Sequence, residues 1–88
     1  MQEVSTTVVN ALGLHARAAA RFVAIASAFR SHVRVTRGGR TTDGKSILGL
    51  LLLAAARGAE LIISADGTDE AEALEALRAF TARGFEDA

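Results

Sequence analysis

No cysteine occurs anywhere in the 88 residues. Neither disulfides nor a thiolate metal site can brace the fold, so a chain of this size must rely on one apolar core. The material for it is present, because half the residues are hydrophobic, mostly Ala, Leu, Val and Ile. No linker, low-complexity stretch or internal repeat divides the chain, and residues 1–88 are read as a single domain. Met1-Gln2-Glu3-Val4-Ser5 carries no basic region, and the longest apolar stretch, Ile47 to Ala56, is short and interrupted by Gly49. Neither a secretory signal nor membrane insertion is expected, and a cytoplasmic protein follows.

Hydrophobic spacing alternates between two periods along the chain. Glu3 to Val9 is rich in Val and Thr and suits a strand, followed by a loop over Asn10-Ala11-Leu12-Gly13. From Ala16 to Phe29, apolar residues recur three and four apart (Ala19, Phe22, Val23, Ala26, Phe29), which predicts a helix with one apolar stripe. His32 to Arg37 alternates, Gly38-Gly39 reads as a two-residue hairpin turn, and Arg40 to Asp43 is the returning strand. Ser46 is placed to cap a short helix from Ile47 to Leu53 or slightly beyond, and Glu60 to Ala65 is a fourth strand. Asp69 is expected to cap a last helix, with Glu70 and Glu72 in its first turn and Gly84 as its stop. Leu74, Leu77, Arg78 and Thr81 should share one face of it. The order βαββαβα predicts an α+β domain of two layers, a four-stranded sheet with three helices on one face.

Gly13-Leu14-His15-Ala16-Arg17 places a histidine where a loop becomes a helix. The unpaired N–H groups at such a start, here those of Ala16, Arg17 and Ala18, attract anions, as does the positive end of the helix dipole. A phosphoryl group on His15 would meet those donors, and the Arg17 guanidinium could add its fork to the same oxygens. Gly13 lets the backbone approach closely. Read without further context, a lone histidine at this place is more often an ordinary cap. A metal site is not expected, since the other histidine, His32, reads as a solvated strand residue and no paired carboxylate is close to either in sequence. No cofactor is implied.

Gly39 and Gly44-Lys45-Ser46 match the spacing of a phosphate-binding P-loop. However, Arg40 to Asp43 reads as a strand, and the chain is too short for a nucleotide domain. Ser46 is a helix cap in any reading. The helix after it carries six large apolar residues in seven positions, more than one stripe can bury. Leu50 and Leu53 are the expected core pair, which leaves Ile47, Leu48 and Leu51 partly exposed as a surface for a partner. Charge is also divided. Residues 1–57 hold eight Arg/Lys against two Asp/Glu, and residues 58–88 hold two against eight. The first part could therefore face an acidic partner or phosphate, while Glu70, Glu72 and Glu75 read as a solvated helix face.

The string Asn10-Ala11-Leu12-Gly13-Leu14-His15-Ala16-Arg17 resembles the active-site motif of the HPr family, the histidine phosphocarriers of the bacterial phosphoenolpyruvate-dependent phosphotransferase system. Lys45-Ser46-Ile47-Leu48-Gly49 resembles that family's regulatory-serine segment. Ala56-Arg57-Gly58-Ala59-Glu60 and Asp66-Gly67-Thr68-Asp69-Glu70-Ala71 look like further landmarks. The resemblance implies an open-faced β-sandwich with an antiparallel sheet. It implies that enzyme I phosphorylates His15 at Nδ1, that Arg17 steadies the phosphoryl oxygens, and that an enzyme IIA receives the group, serving sugar uptake or nitrogen-branch regulation. It further implies a carrier and not an enzyme, a monomer, and an HPr kinase/phosphorylase acting on Ser46. Ala18 stands where the family usually has proline, which resembles the nitrogen-regulatory or proteobacterial branch. A free N–H is thereby restored in the first turn.

Two other classes share a similar element order. A small-molecule-sensing regulatory domain of the ACT type would need a ligand pocket for which no motif is present. A sheet-type RNA binder would need aromatic residues on its strands to stack bases. Here there is no Tyr or Trp, and Phe22, Phe29 and Phe80 fall on helices while Phe85 falls in the tail.

Overall fold

A computed structural model of the chain describes residues 1–87. Its strands are β1 (Gln2–Thr7), β2 (His32–Arg37), β3 (Arg40–Asp43) and β4 (Glu60–Asp66), and its helices are α1 (Ala16–Ser27), α2 (Ile47–Leu52) and α3 (Glu70–Ala82). The four strands form one antiparallel sheet in the order β1-β4-β2-β3. Together with the three helices this is the α+β open-faced sandwich expected from the order of elements. Among the described residues no helix is long and apolar enough to cross a membrane.

Strand alternation sorts the sheet into two faces. Val33, Val35, Leu61, Ile63 and Ala65 are buried, whereas His32, Arg34, Glu60 and Asp66 are exposed. The β2–β3 connection turns on Gly38 and Gly39, both with positive φ (56° and 83°), the conformation a two-residue hairpin loop favours. From α1, Ala19, Phe22 and Ala26 enter the core. The helix stops at Ser27, two residues before the predicted end, and Phe29 packs half-buried from the turn beyond it. Strand β1 likewise ends at Thr7. Val8 is buried and bonds instead to the loop before β4, its N–H to Ala59 O and its carbonyl to Gly58 N.

Three expectations for the last third of the chain need correction. Asp69 stands at the start of α3, but its side chain makes no capping bond there. It turns away to accept from Arg30 N, Ser31 N and the Ser31 hydroxyl, because Ser31 is fully buried and needs an acceptor. Arg78 is not on the buried face of α3; it is half-exposed and pairs with Glu75. Phe85 is no loose tail residue, for it is fully buried with its ring 5.5 Å from that of Phe80.

Candidate phosphoryl-transfer site

Helix α1 begins at Ala16 with His15 as the residue before it, in extended conformation (φ −82°, ψ 178°). The His15 side chain does not cap the helix, so the expectation of an ordinary cap fails. The N–H groups of Ala16, Arg17 and Ala18 stand at the head of a twelve-residue helix, where no preceding turn offers a carbonyl. Ala16 and Arg17 are exposed, while the Ala18 side chain is buried in the core, so Ala18 can serve the site only through its backbone. Arg17 has no ion-pair partner among the described residues.

The loop before His15 is held from below. Gly13 has φ +66°, and a Cβ there would lie 2.5 Å from Ala55 O. The close approach that this glycine permits is therefore to the backbone beyond α2, where Leu14 N donates to Ala55 O at 2.9 Å. Ala54, also left-handed (φ 50°), ends α2 just before this contact.

Sequence reasoning missed one partner of His15. Nε2 lies 2.9 and 3.1 Å from the two carboxylate oxygens of Asp87. The hydrogen bond from His15 holds the Asp87 carboxyl below its usual range, and that from Asn10 and the nearby charge of Arg17 act the same way against partial desolvation. An ionised carboxylate only accepts, so Nε2 is the ring nitrogen that carries a proton toward Asp87. Asn10 joins the two segments, its Nδ2 donating to Gly13 O at 2.9 Å and to the Asp87 carboxylate. One signal was available: an apolar Phe85 directly after the helix-stop Gly84 suggests that the chain goes on packing. Burying that Phe contributes about 2 kcal/mol. This is comparable to the ~1 kcal/mol or more that each left-handed non-glycine residue costs, here Phe85 (φ 56°) and Glu86 (φ 58°).

Ser46 caps α2 as expected, and the helix ends at Leu52, one residue before the expected Leu53. The Ser46 Oγ accepts from Gly49 N at 3.0 Å. Gly44-Lys45-Ser46 forms no phosphate cradle, because Gly44 N is bonded to Val33 O and Lys45 Nζ to Phe29 O. Leu50 and Leu53 are buried, Ile47 and Leu48 are exposed (43% and 67%), and Leu51 is half-buried against the core. Leu52, not singled out from the sequence, is exposed as well. Two residues of the basic half serve this helix: Arg40 donates to Leu52 O at 2.8 Å and Arg37 to Leu53 O at 3.4 Å, satisfying its carboxyl end.

His15 is thus a partly exposed imidazole at a helix start, outside the hollow about Arg21, Ala24, Ile25, Phe80 and Glu86, where a small anionic group can be received. Comparison with known proteins makes this specific. Residues 2–83 match the family described as the PTS HPr component phosphorylation site. The phosphocarrier protein HPr of Cupriavidus necator is 46% identical over 85 residues, covering 97% of this chain and 96% of that one. HPr of Neisseria meningitidis serogroup A is 49% identical over 77 residues, 88% and 86% of the two chains. Among solved structures, HPr-C-His of Thermoanaerobacter tengcongensis superposes with a TM-score of 0.94 at 39% identity, covering 100% and 99%. The HPr of Bacillus anthracis gives 0.87 at 38%, covering 91% and 95%. The chain belongs to the HPr family of phosphocarrier proteins of the phosphotransferase system. An effector-sensing domain of the ACT type is not favoured, and the protein is a carrier of phosphoryl groups, not a catalytic enzyme.

Proposed function

We propose that His15 Nδ1 accepts the phosphoryl group from phospho-enzyme I, itself charged by phosphoenolpyruvate, and passes it to a histidine of an enzyme IIA. The observation that carries this reading is the placement of His15 directly before the free N–H groups of Ala16, Arg17 and Ala18, with its side chain uncommitted to the cap. Those donors and the positive end of the α1 dipole can receive the phosphoryl oxygens, and the Arg17 guanidinium, with no ion-pair partner among the described residues, can swing onto them. Sugar uptake and nitrogen-branch regulation both fit this chemistry, and the carrier acts as a monomer in the cytoplasm, although one structural relative, HPr of T. tengcongensis, is described as a dimer. Phosphorus-coupled ¹⁵N NMR of the phosphorylated protein should place the phosphorus on Nδ1. Coupling to Nε2 would contradict this assignment.

The exposed Ile47 and Leu48, with half-buried Leu51 beside them, form the partner surface in this reading, and Ser46 at its edge is the target of an ATP-dependent HPr kinase/phosphorylase. A phosphate on Ser46 adds roughly −1.5 to −2 charges at the favourable end of α2, which the fold tolerates. A partner with an acidic surface does not.

A further inference from the structure

We propose that Asp87 is a positioning residue for phosphoryl transfer, holding the His15 proton on Nε2 and balancing the charge the ring gains when Nδ1 bonds to phosphorus. The inference rests on the phosphocarrier reading above and assigns a part in it to a residue 72 positions away in sequence.

Two independent features of the structure converge on it. The first is the clamp itself. Both Asp87 oxygens lie within 3.1 Å of Nε2, and one of them also takes the amide of the buried Asn10, whose other bond goes to Gly13 O in the loop that carries His15. The carboxylate is thus fixed to the same loop as the imidazole it touches. The second is the backbone that delivers it. Gly84, Phe85 and Glu86 are all left-handed (φ 65°, 56° and 58°), which reverses the chain directly after α3. Two of the three are not glycine, so this turn is strained, and it is held by the fully buried Phe85 ring against Phe80 and by Arg21 reaching the Phe85 carbonyl. Strain kept in place by a buried anchor, with Asp87 arriving on His15 as its outcome, is the pattern of a functional constraint.

The chemistry needs such a group. With the proton on Nε2, the Nδ1 lone pair attacks the phosphorus of a phosphohistidine donor. As the Nδ1–P bond forms, the donor's N–P bond breaks and the donor nitrogen keeps that electron pair. The His15 ring is then an imidazolium that retains its Nε2 proton against the Asp87 carboxylate. In the onward step the Nδ1–P bond breaks, its pair returns to Nδ1, and the ring is neutral again. No proton enters or leaves His15 in either step, provided that the Nε2 proton is held. This is the orienting role that a carboxylate plays toward a catalytic histidine.

The test is Asp87→Asn, with Asp87→Ala as a second variant. The amide introduced by Asp87→Asn can donate to Nε2 and so drive the proton onto Nδ1, whereas Asp87→Ala removes the partner altogether. Histidine ¹⁵N shifts of the unphosphorylated protein should show Nε2–H in the wild type and a growing Nδ1–H fraction in Asp87→Asn. The rate of uptake from saturating phospho-enzyme I should fall about tenfold in that variant at an unchanged KM. Wild-type tautomer and rate in both variants would overturn the role of Asp87 and leave the carrier reading standing. A raised KM with the wild-type tautomer would also overturn it, by making Asp87 a docking residue. A wild-type protein that accepts no phosphate would overturn the carrier reading and this inference with it.

Discussion

Ser31, fully buried, gives both its N–H and its hydroxyl to one carboxylate, that of Asp69, which joins the end of α1 to the start of α3. The hydroxyl bond comes first, ahead of the N–H of Arg30, in holding the Asp69 carboxyl below its usual range. A depressed carboxylate stabilises the fold above its unfolded-state value and loses that contribution as pH falls through its folded value. Asp87 behaves in the same way through His15. The contribution of these two carboxylates should therefore be complete at neutral pH and be lost in the acid range, as pH falls from the ordinary carboxylate value through the lower folded ones. Asp69→Asn should flatten that acid limb in urea titrations followed at several pH values, and an unchanged limb would show that the Ser31 contact does not couple folding to protons.

The two leucines Leu48 and Leu50 should separate docking from stability. Leu50 is fully buried and Leu48 is 67% exposed. Leu50→Asp buries an unpaired charge and should leave the protein unfolded. Leu48→Asp should shift stability by about 0.5 kcal/mol or less while weakening affinity for enzyme I. Equal unfolding by both would make Leu48 part of the core.

Ser46 is probed by a pair of variants. Ser46→Ala loses the bond from Gly49 N and should cost about 1 kcal/mol of stability with normal phosphoryl transfer. Ser46→Asp keeps a capping oxygen and the wild-type melting temperature, but should raise the KM for enzyme I. Equal transfer by the two variants would reduce Ser46 to a cap.

Arg17 should assist transfer without accepting the group. Arg17→Ala should lower the transfer rate about tenfold with native circular dichroism, and Arg17→Lys should restore part of it as a point charge without the planar fork. An unchanged rate would mean that the backbone donors at the head of α1 suffice.

What could be read in the sequence is what rests on short-range rules. The hairpin at Gly38-Gly39 follows from two residues free to take positive φ, and the division of α2 into buried Leu50 and Leu53 and exposed Ile47 and Leu48 follows from helical spacing. The placing of His15 before α1 follows from the change of period at Ala16. What escaped depends on tertiary contact. Asp69 looks like a cap locally, but the buried Ser31 on another segment competes for its carboxylate and wins. Asp87 reaches His15 because two non-glycine residues adopt a left-handed turn, which no local preference favours and which the burial of Phe85 and the bond from Arg21 to its carbonyl hold. Gly13 was read for its freedom near an anion, whereas the room it lacks is toward Ala55 O.

The central claim is that His15 is the residue that carries phosphate, and intact-mass measurement after incubation with phosphoenolpyruvate and enzyme I tests it most directly. The wild-type protein should gain the mass of one phosphoryl group, labile to acid, and folded His15→Ala should gain none. A phosphate that persists in His15→Ala, or one that appears on exposed His32, would contradict the account.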